Sequence, residues 1–245
     1  MLSYSLRSEI GTREEQQDYA ICFNENNLFV AVVCDGMGGL EGGYAAGKCA
    51  AETFMDIIKK RDKTESMPSL LLRSVDILDE KVSNLNGVSA EKLNSGTTIV
   101  AVIIKNGMLY WLSVGDSRLY LMRQKELVRA TRDHNYSLIL NSMPQGYIPT
   151  EEEIQKKEAL VSYIGIGGIE IMDISRNPVS LLENDKILLT TDGLFKSLTD
   201  EQIKLILSND LDAENVADNL LEAATKSAPN SRDNSTFIFI NYKGE

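Results

Sequence analysis

Residues 28–39 read LFVAVVCDGMGG, in which seven apolar residues are followed by an aspartate and a glycine-rich end. A polar turn, NENN at residues 24–27, precedes the apolar run. A run of this length, rich in valine and bounded by turn residues, predicts a strand with both faces buried. We therefore expect this strand in the middle of a sheet, with Asp35 at its end.

The overall composition argues against several classes of protein. Hydrophobic residues make up 43% and charged residues 25% of the 245, as in an ordinary globular chain. The 36 acidic residues outnumber the 25 basic ones and give a net charge of −11, which disfavours nucleic acid and anionic membranes as partners. One histidine and three cysteines without Cys-x-x-Cys spacing disfavour a zinc site, and an odd cysteine count suits a reducing compartment. We expect a cytoplasmic protein that binds neither nucleic acid nor membranes.

Amphipathic patterns predict helices in two separate blocks. The first helix covers residues 44–60, where apolar residues recur at three- and four-residue steps. A second helix begins at Pro68 and ends before Gly87. Towards the C-terminus, Thr199 begins a capping box and Asp212 caps a last helix.

Turn residues between apolar runs predict antiparallel strands. Asn106-Gly107 separates residues 98–104 from residues 108–114 and predicts a hairpin, since both turn residues tolerate positive φ. A strand at residues 118–122 is expected to extend this meander beyond a turn at Gly115-Asp116. Further strands are predicted at residues 19–23, 186–191 and 236–242. Hairpins with helices in separate blocks indicate an α+β protein rather than alternating βαβ units.

Five aspartates stand at predicted strand ends, next to glycine or asparagine or directly before a strand. They are Asp18, Asp35, Asp116, Asp192 and Asp233. For any one of them, ordinary turn chemistry is a sufficient explanation. Together they favour a common rim, where converging carboxylates repel one another unless hard cations neutralise them. Oxygen ligands without histidine or cysteine suit Mg²⁺ or Mn²⁺, and glycine at position 36 lets a backbone carbonyl approach an ion closely.

Seven short motifs follow one another across nearly the whole chain. They are REEQQD at 13–18, DGMGG at 35–39, SGTT at 95–98, VGDSR at 114–118, TRDH at 131–134, TDGL at 191–194 and RDN at 232–234. In this order they resemble the bacterial form of the metal-dependent Ser/Thr protein phosphatases of type 2C, the PPM family. The resemblance implies a four-layer αββα sandwich, with two central antiparallel β-sheets flanked by helices. It also implies a single catalytic domain over residues 1–245, with a variable flap at about 135–169.

The resemblance further implies the site residues. Two Mn²⁺ or Mg²⁺ ions are expected at the carboxylates of Asp18, Asp35, Asp192 and Asp233 and the carbonyl of Gly36. A third, weaker ion is expected at Asp116, and Arg13 is expected to hold the substrate phosphate. Phosphoserine and phosphothreonine would be hydrolysed by direct attack of a metal-bridging water, without a covalent intermediate. The implied partners are phosphorylated proteins and a Ser/Thr protein kinase that the enzyme opposes.

Two positions and one segment depart from the family pattern. Met37 stands where many eukaryotic members have a histidine proposed as general acid, so that role is unassigned. Gln17 stands where some members have an acidic ligand. Residues 135–169 lack the usual flap segments, and only residues 161–165 faintly resemble one of them.

Other interpretations remain alongside this one. The fold is also compatible with a catalytically silent binding module, or with a phosphatase dedicated to a single partner protein. His134, the only imidazole, is a candidate base for Ser95 or Ser137, but without a nucleophile elbow a structural role is the better expectation. The glycines after Asp35 lack the Gly-Lys-Ser/Thr ending of a phosphate-binding loop.

Overall fold

Two antiparallel sheets pack face to face at the centre of the protein. The computed structural model describes residues 2–85 and 95–244, and for residues 39–41 it describes the backbone alone. The first sheet has five strands in the order β1-β12-β11-β7-β8. These are β1 (Leu2–Glu9), β7 (Arg118–Arg123), β8 (Glu126–Arg129), β11 (Lys186–Thr190) and β12 (Ser235–Tyr242).

The second sheet has the order β10-β6-β5-β3-β2, with β4 paired to β3 and β9 paired to β6. Its strands are β2 (Asp18–Glu25), β3 (Leu28–Met37), β4 (Gly96–Thr97), β5 (Ile99–Lys105), β6 (Met108–Val114), β9 (Asp173–Ile174) and β10 (Val179–Ser180). The described residues also form seven helices. These are α1 (Gly39–Lys59), α2 (Met67–Ser83), α3 (Tyr136–Asn141), α4 (Glu151–Gln155), α5 (Asp192–Ser197), α6 (Asp200–Leu207) and α7 (Ala213–Ser227).

The central strand β3 shows how the layers pack. Val30, Val32 and Cys34 face the helices α1 and α2, whereas Phe29 and Val33 on the opposite face pack against the other sheet. On the far side, the first sheet packs against α5, α6 and α7. The predicted burial of both faces of this strand is therefore confirmed, and so is the four-layer αββα sandwich.

Most local predictions are confirmed. Asn106 and Gly107 have φ of 50° and 68°, as the predicted hairpin turn between β5 and β6 requires. The Thr199 capping box is formed, and the Asp212 side chain accepts the Asn215 N–H at the start of α7. The predicted helix stop at Gly87 lies outside the described residues.

Two expectations about the elements are wrong, and one strand was not expected. The strand after Gly115 does not extend the hairpin meander, because β7 pairs with β11 in the other sheet. The chain crosses between the sheets at this turn, where Gly115 has φ of 102°. Helix α1 begins at Gly39 rather than residue 44, and β1, which pairs with β12 along its whole length, was not predicted.

The segment predicted as a flap, residues 135–169, contains the short helices α3 and α4. Near its start Asn135 bridges to Leu160, and near its end Ile164 bridges to Thr97 beside β3. Within the described ranges, every helix is too short or too polar to cross a membrane.

Candidate metal centre

The predicted aspartates come together at one end of the two sheets. Asp18 begins β2 and lies opposite Asp35 near the end of β3. Asp192 follows β11 as the first residue of α5, and Asp233 lies just before β12. A cavity of about 650 Å³ opens there, lined by Asp35, Gly36, Asp192 and Asp233, together with Arg13 and Met37 among others. The described residues that line it do not include Asp18 or Asp116.

Asp18 is a buried carboxylate with one oxygen satisfied. Its Oδ2 accepts a hydrogen bond from the Thr191 hydroxyl at 2.9 Å, whereas its Oδ1 is buried without a hydrogen-bond partner. Burial raises the pKa of Asp18 to about 7, against the lowering effect of the Thr191 hydrogen bond, and the charges of Asp192 and Asp233 raise it further. Near neutral pH, this carboxyl is therefore poised between its protonated and ionised forms.

Asp35 is fixed through its backbone. Its N–H donates to the Thr98 hydroxyl at 2.9 Å, and its carbonyl accepts the Thr98 N–H at 2.8 Å and the Thr97 hydroxyl at 2.9 Å. Burial and then the charges of four neighbouring carboxylates raise its pKa well above the ordinary value. Those neighbours are Asp18, Asp192, Asp116 and Asp233. Asp35 thus lies at the electrostatic centre of the cluster.

Gly36 lies where no side chain fits. A Cβ at this position would lie 2.0 Å from the Gly43 carbonyl oxygen and 2.7 Å from that of Gln17. A Cβ at Gly43 would in turn lie 2.9 Å from the Gly36 carbonyl oxygen. The glycines therefore let the first turns of α1 pack directly on the end of β3, where Gly36 lines the cavity.

Asp192 and Asp233 are each paired with a basic side chain. The Lys196 ammonium pairs with Asp192 Oδ2, and the Arg13 guanidinium lies 2.7 Å from Asp233 Oδ2. Asp192 Oδ1 is buried without a hydrogen-bond partner. Burial lowers the pKa of Lys196, but the charges of Asp192 and Asp116, among others, outweigh it, so the net shift is upward and the ammonium stays charged.

Asp116 lies on the turn that crosses between the sheets. Burial raises its pKa to about 6, and the nearby Asp192 charge adds to that effect. His134 holds this turn from both sides, because its backbone N–H donates to the Gly115 carbonyl at 3.0 Å and its Nδ1 accepts the Gly115 N–H at 3.1 Å. The structural role expected for His134 therefore consists of fixing the turn that carries Asp116.

A family model matches the part of the chain that contains three of these aspartates. The family model described as protein phosphatase 2C matches residues 16–139, about half of the chain, including Asp18, Asp35 and Asp116. The chain belongs to the protein phosphatase 2C family. It is accordingly a metal-dependent protein-serine/threonine phosphatase, and the alternative of a catalytically silent module is not supported.

The chain is similar to named phosphatases in sequence, and the solved structures that it matches show the same fold. A Listeria monocytogenes protein named serine/threonine phosphatase stp is 27% identical over 223 residues, which cover 89% of this chain and 86% of that protein. The Streptococcus agalactiae serine/threonine phosphatase structure matches all of both chains with a TM-score of 0.83 at 24% identity. The catalytic domain of the phosphatase PstP, solved in complex with two manganese ions, matches 99% of both chains with a TM-score of 0.77 at 24% identity.

Two further residues of this candidate site were not predicted from the sequence. Asn234 accepts the Gln17 N–H with its Oδ1 and donates from its Nδ2 to the carbonyls of Ile10 and Glu15, which ties the Arg13 loop to the start of β12. The RDN motif contains Asn234 but does not reveal these three hydrogen bonds. Lys196 was missed as well, although its spacing of four residues from Asp192 was a usable signal.

The arrangement and the chemistry of the donor atoms decide which kind of ion this site fits. In residues 2–85 and 95–244, no three His, Cys, Asp or Glu side chains form a group that could hold a metal ion as they stand. Two of the carboxylates pair instead with basic groups, Asp233 with Arg13 and Asp192 with Lys196. The donor chemistry nevertheless fits a hard divalent cation, because the cluster supplies only oxygen atoms and two of them are buried without partners.

Proposed function

We propose that this phosphatase holds two divalent cations, Mn²⁺ or Mg²⁺, at its carboxylate rim. The ligands would be the carboxylates of Asp18, Asp35, Asp192 and Asp233 and the carbonyl of Gly36. The observation that carries this proposal is the pair of buried oxygens without partners, Asp18 Oδ1 and Asp192 Oδ1. A buried acceptor left without a donor costs free energy, and a hard cation removes that cost. Asp116 would contribute to a third, weaker site.

Bound divalent cations would lower the pKa of a coordinated water and neutralise negative charge on the phosphoryl group during its transfer. The residues of the chain keep the ligands in place for this chemistry. The Thr191 hydroxyl orients Asp18, and the hydroxyls of Thr97 and Thr98 fix the backbone at Asp35. Ligands held in fixed positions favour catalysis, because the site needs little reorganisation during the reaction.

We propose that Arg13 binds the substrate phosphate. Its side chain is 61% exposed and lies at the mouth of the cavity, where it pairs with Asp233. A guanidinium recognises two phosphate oxygens at once, which an ammonium does not. The Asn234 hydrogen bonds to Ile10 and Glu15 keep the loop that carries Arg13 in place while the guanidinium exchanges Asp233 for phosphate.

The substrates are phosphorylated proteins, and we propose that the enzyme opposes a Ser/Thr protein kinase in the cytoplasm. The name of one relative, serine/threonine phosphatase stp, supports phosphoserine and phosphothreonine as the residues that are hydrolysed. The free thiols of Cys22, Cys34 and Cys49 support a reducing compartment.

We further propose that residues 1–245 act as one catalytic domain in which residues 135–169 influence substrate choice. Apolar side chains on this segment support its contact with a protein substrate, since Ile148 is 85% exposed and Ile154 is also exposed. The bridge from Ile164 to Thr97 connects the segment to the backbone next to Asp35.

Hydrolysis of p-nitrophenyl phosphate tests the assignment of the site. We expect turnover that depends on Mn²⁺ and is abolished by EDTA and by Asp192→Ala. Asp76→Ala is the matched control, because Asp76 is an exposed aspartate on α2, away from the cavity. Equal activity of Asp192→Ala and the control, in protein loaded with Mn²⁺, would refute the assignment.

A further inference from the structure

Lys196 lies one helical turn after Asp192 on α5 and pairs with its carboxylate. The position of the helix is fixed by its neighbours, since Leu194 is fully buried and Phe195 lies under the Arg118 guanidinium, 3.6 Å from its ring centre. Arg118 is itself held by two hydrogen bonds to Asp133. The lysine stem is therefore directed towards the carboxylate rim by a well-packed helix.

This ion pair differs from the other lysine pairs with the same spacing. Four more of them occur in the described part of the chain, at Lys48–Glu52, Lys60–Asp56, Lys156–Glu152 and Lys226–Glu222. Their acidic side chains are 52–74% exposed, whereas the Asp192 side chain is 12% exposed. The Lys196 side chain is 52% exposed, within the 47–76% range of the other four lysines, so the burial of Asp192 is what reduces the screening of this pair by water.

Lys196 also acts on more than one carboxylate. The charges of Asp116 and Asp233, as well as that of Asp192, raise the pKa of the Lys196 ammonium. Burying several carboxylates together is costly without a cation among them. Of the described basic side chains, only Lys196 and Arg13 form ion pairs with these aspartates, and Arg13 is the more exposed of the two.

We propose that Lys196 is a tethered counter-ion that stabilises the metal-free phosphatase and competes with the divalent cation for Asp192. This inference rests on the proposed function, in which Asp192 is a metal ligand. A cation that approaches Asp192 must displace the ammonium from Oδ2 or bind against its repulsion. Lys196 thereby sets the concentration of divalent cation at which the enzyme becomes loaded.

The test is the affinity for Mn²⁺, measured by titration calorimetry on protein freed of metal. We expect Lys196→Gln to bind Mn²⁺ about tenfold more tightly than the wild type, because one positive charge near the cation has been removed. Lys196→Met, which keeps the aliphatic stem, should tighten binding equally, and Lys196→Arg should stay near the wild type. Lys60→Gln is the matched control, since it removes an exposed lysine that pairs with Asp56 at the same spacing.

Thermal unfolding in EDTA supplies a second measurement. Lys196→Gln should unfold at a lower temperature than the wild type in EDTA and recover when Mn²⁺ is added. A variant that folds only with Mn²⁺ would give the same support. A variant that fails to fold even with Mn²⁺ would overturn the inference, because a counter-ion that a cation replaces is not needed in the loaded protein.

The outcomes separate this inference from the proposed function. Wild-type protein that binds Mn²⁺, together with a Lys196→Gln variant of equal or weaker affinity, would overturn only the role of Lys196. A raised KM for phosphopeptides with unchanged Mn²⁺ affinity would likewise overturn it and assign the lysine to substrate binding. Wild-type protein that does not bind Mn²⁺ would overturn both proposals.

Discussion

The substitution Asp18→Asn separates the effect of the Asp18 charge on stability from its proposed role in binding a cation. Burial raises the pKa of Asp18 to about 7, so the folded protein keeps a proton that the unfolded chain has already lost. A raised acid pKa contributes stability at low pH, and this contribution is lost as the pH rises through 7. Asparagine carries no charge at any pH and can still accept the Thr191 hydrogen bond. We therefore expect Asp18→Asn to stabilise the metal-free protein above neutral pH.

The expected size of this stabilisation follows from the shift in the pKa of Asp18. Each pKa unit corresponds to about 1.4 kcal/mol, so the raised pKa of Asp18 destabilises the folded state by about 2 kcal/mol more at about pH 8 than at about pH 5.5. Unfolding entropy scales with chain length and amounts to about 0.5 kcal/mol per degree for a protein of this size. The gain in melting temperature of Asp18→Asn over the wild type should therefore be about 4 °C larger at the higher pH.

The assay is thermal unfolding in EDTA at the two pH values, repeated with Mn²⁺. Asp76→Asn serves as control, because it makes the same chemical change on an exposed part of α2. With Mn²⁺, the order should reverse, since the wild type gains a bound cation that the variant holds poorly. A melting temperature of Asp18→Asn that is lowered equally at both pH values in EDTA would contradict this prediction.

Three further predictions concern neighbouring groups. Asp116→Ala should lower turnover while the two-cation site stays loaded, and loss of all bound Mn²⁺ in mass spectrometry under native conditions would contradict the third-site assignment. His134→Ala leaves the Gly115 N–H without its acceptor in a fully buried position. We therefore expect a loss of about 2–4 kcal/mol in the free energy of unfolding, measured by denaturant titration. A change below about 0.5 kcal/mol would show that the turn does not depend on the ring. Metal-free protein should bind inorganic phosphate poorly, because Arg13 faces an excess of carboxylates, and tight phosphate binding in EDTA by calorimetry would contradict this.

The sequence revealed those parts of the fold that depend on local chemistry. The valine-rich run before Asp35, the turn at Asn106 and the caps at Thr199 and Asp212 each specify their element within a few residues. Strand β1 was missed because its sequence, LSYSLRSE, is half polar and its identity depends on pairing with β12 at the other end of the chain.

The sequence predicts the acidic residues of the candidate site, but not the basic residues that pair with them. The position of aspartates at strand ends indicates a common rim, and the structure brings them together at one end of the sheets. The turn at Gly115 was interpreted as a hairpin, because a crossover between sheets has the same local residues as a tight turn. The pairing of Arg13 with Asp233 joins residues 220 positions apart, a distance at which local sequence patterns carry no information.

The central claim is that the carboxylates at this rim hold divalent cations. Anomalous diffraction at the manganese edge, from crystals grown with Mn²⁺, tests it most directly. We expect two strong peaks within coordination distance of Asp18, Asp35, Asp192 and Asp233 and the Gly36 carbonyl, with the Lys196 ammonium withdrawn from Asp192. Full occupancy of Mn²⁺ elsewhere, with the Lys196 and Arg13 pairs intact and no peak at the rim, would contradict it.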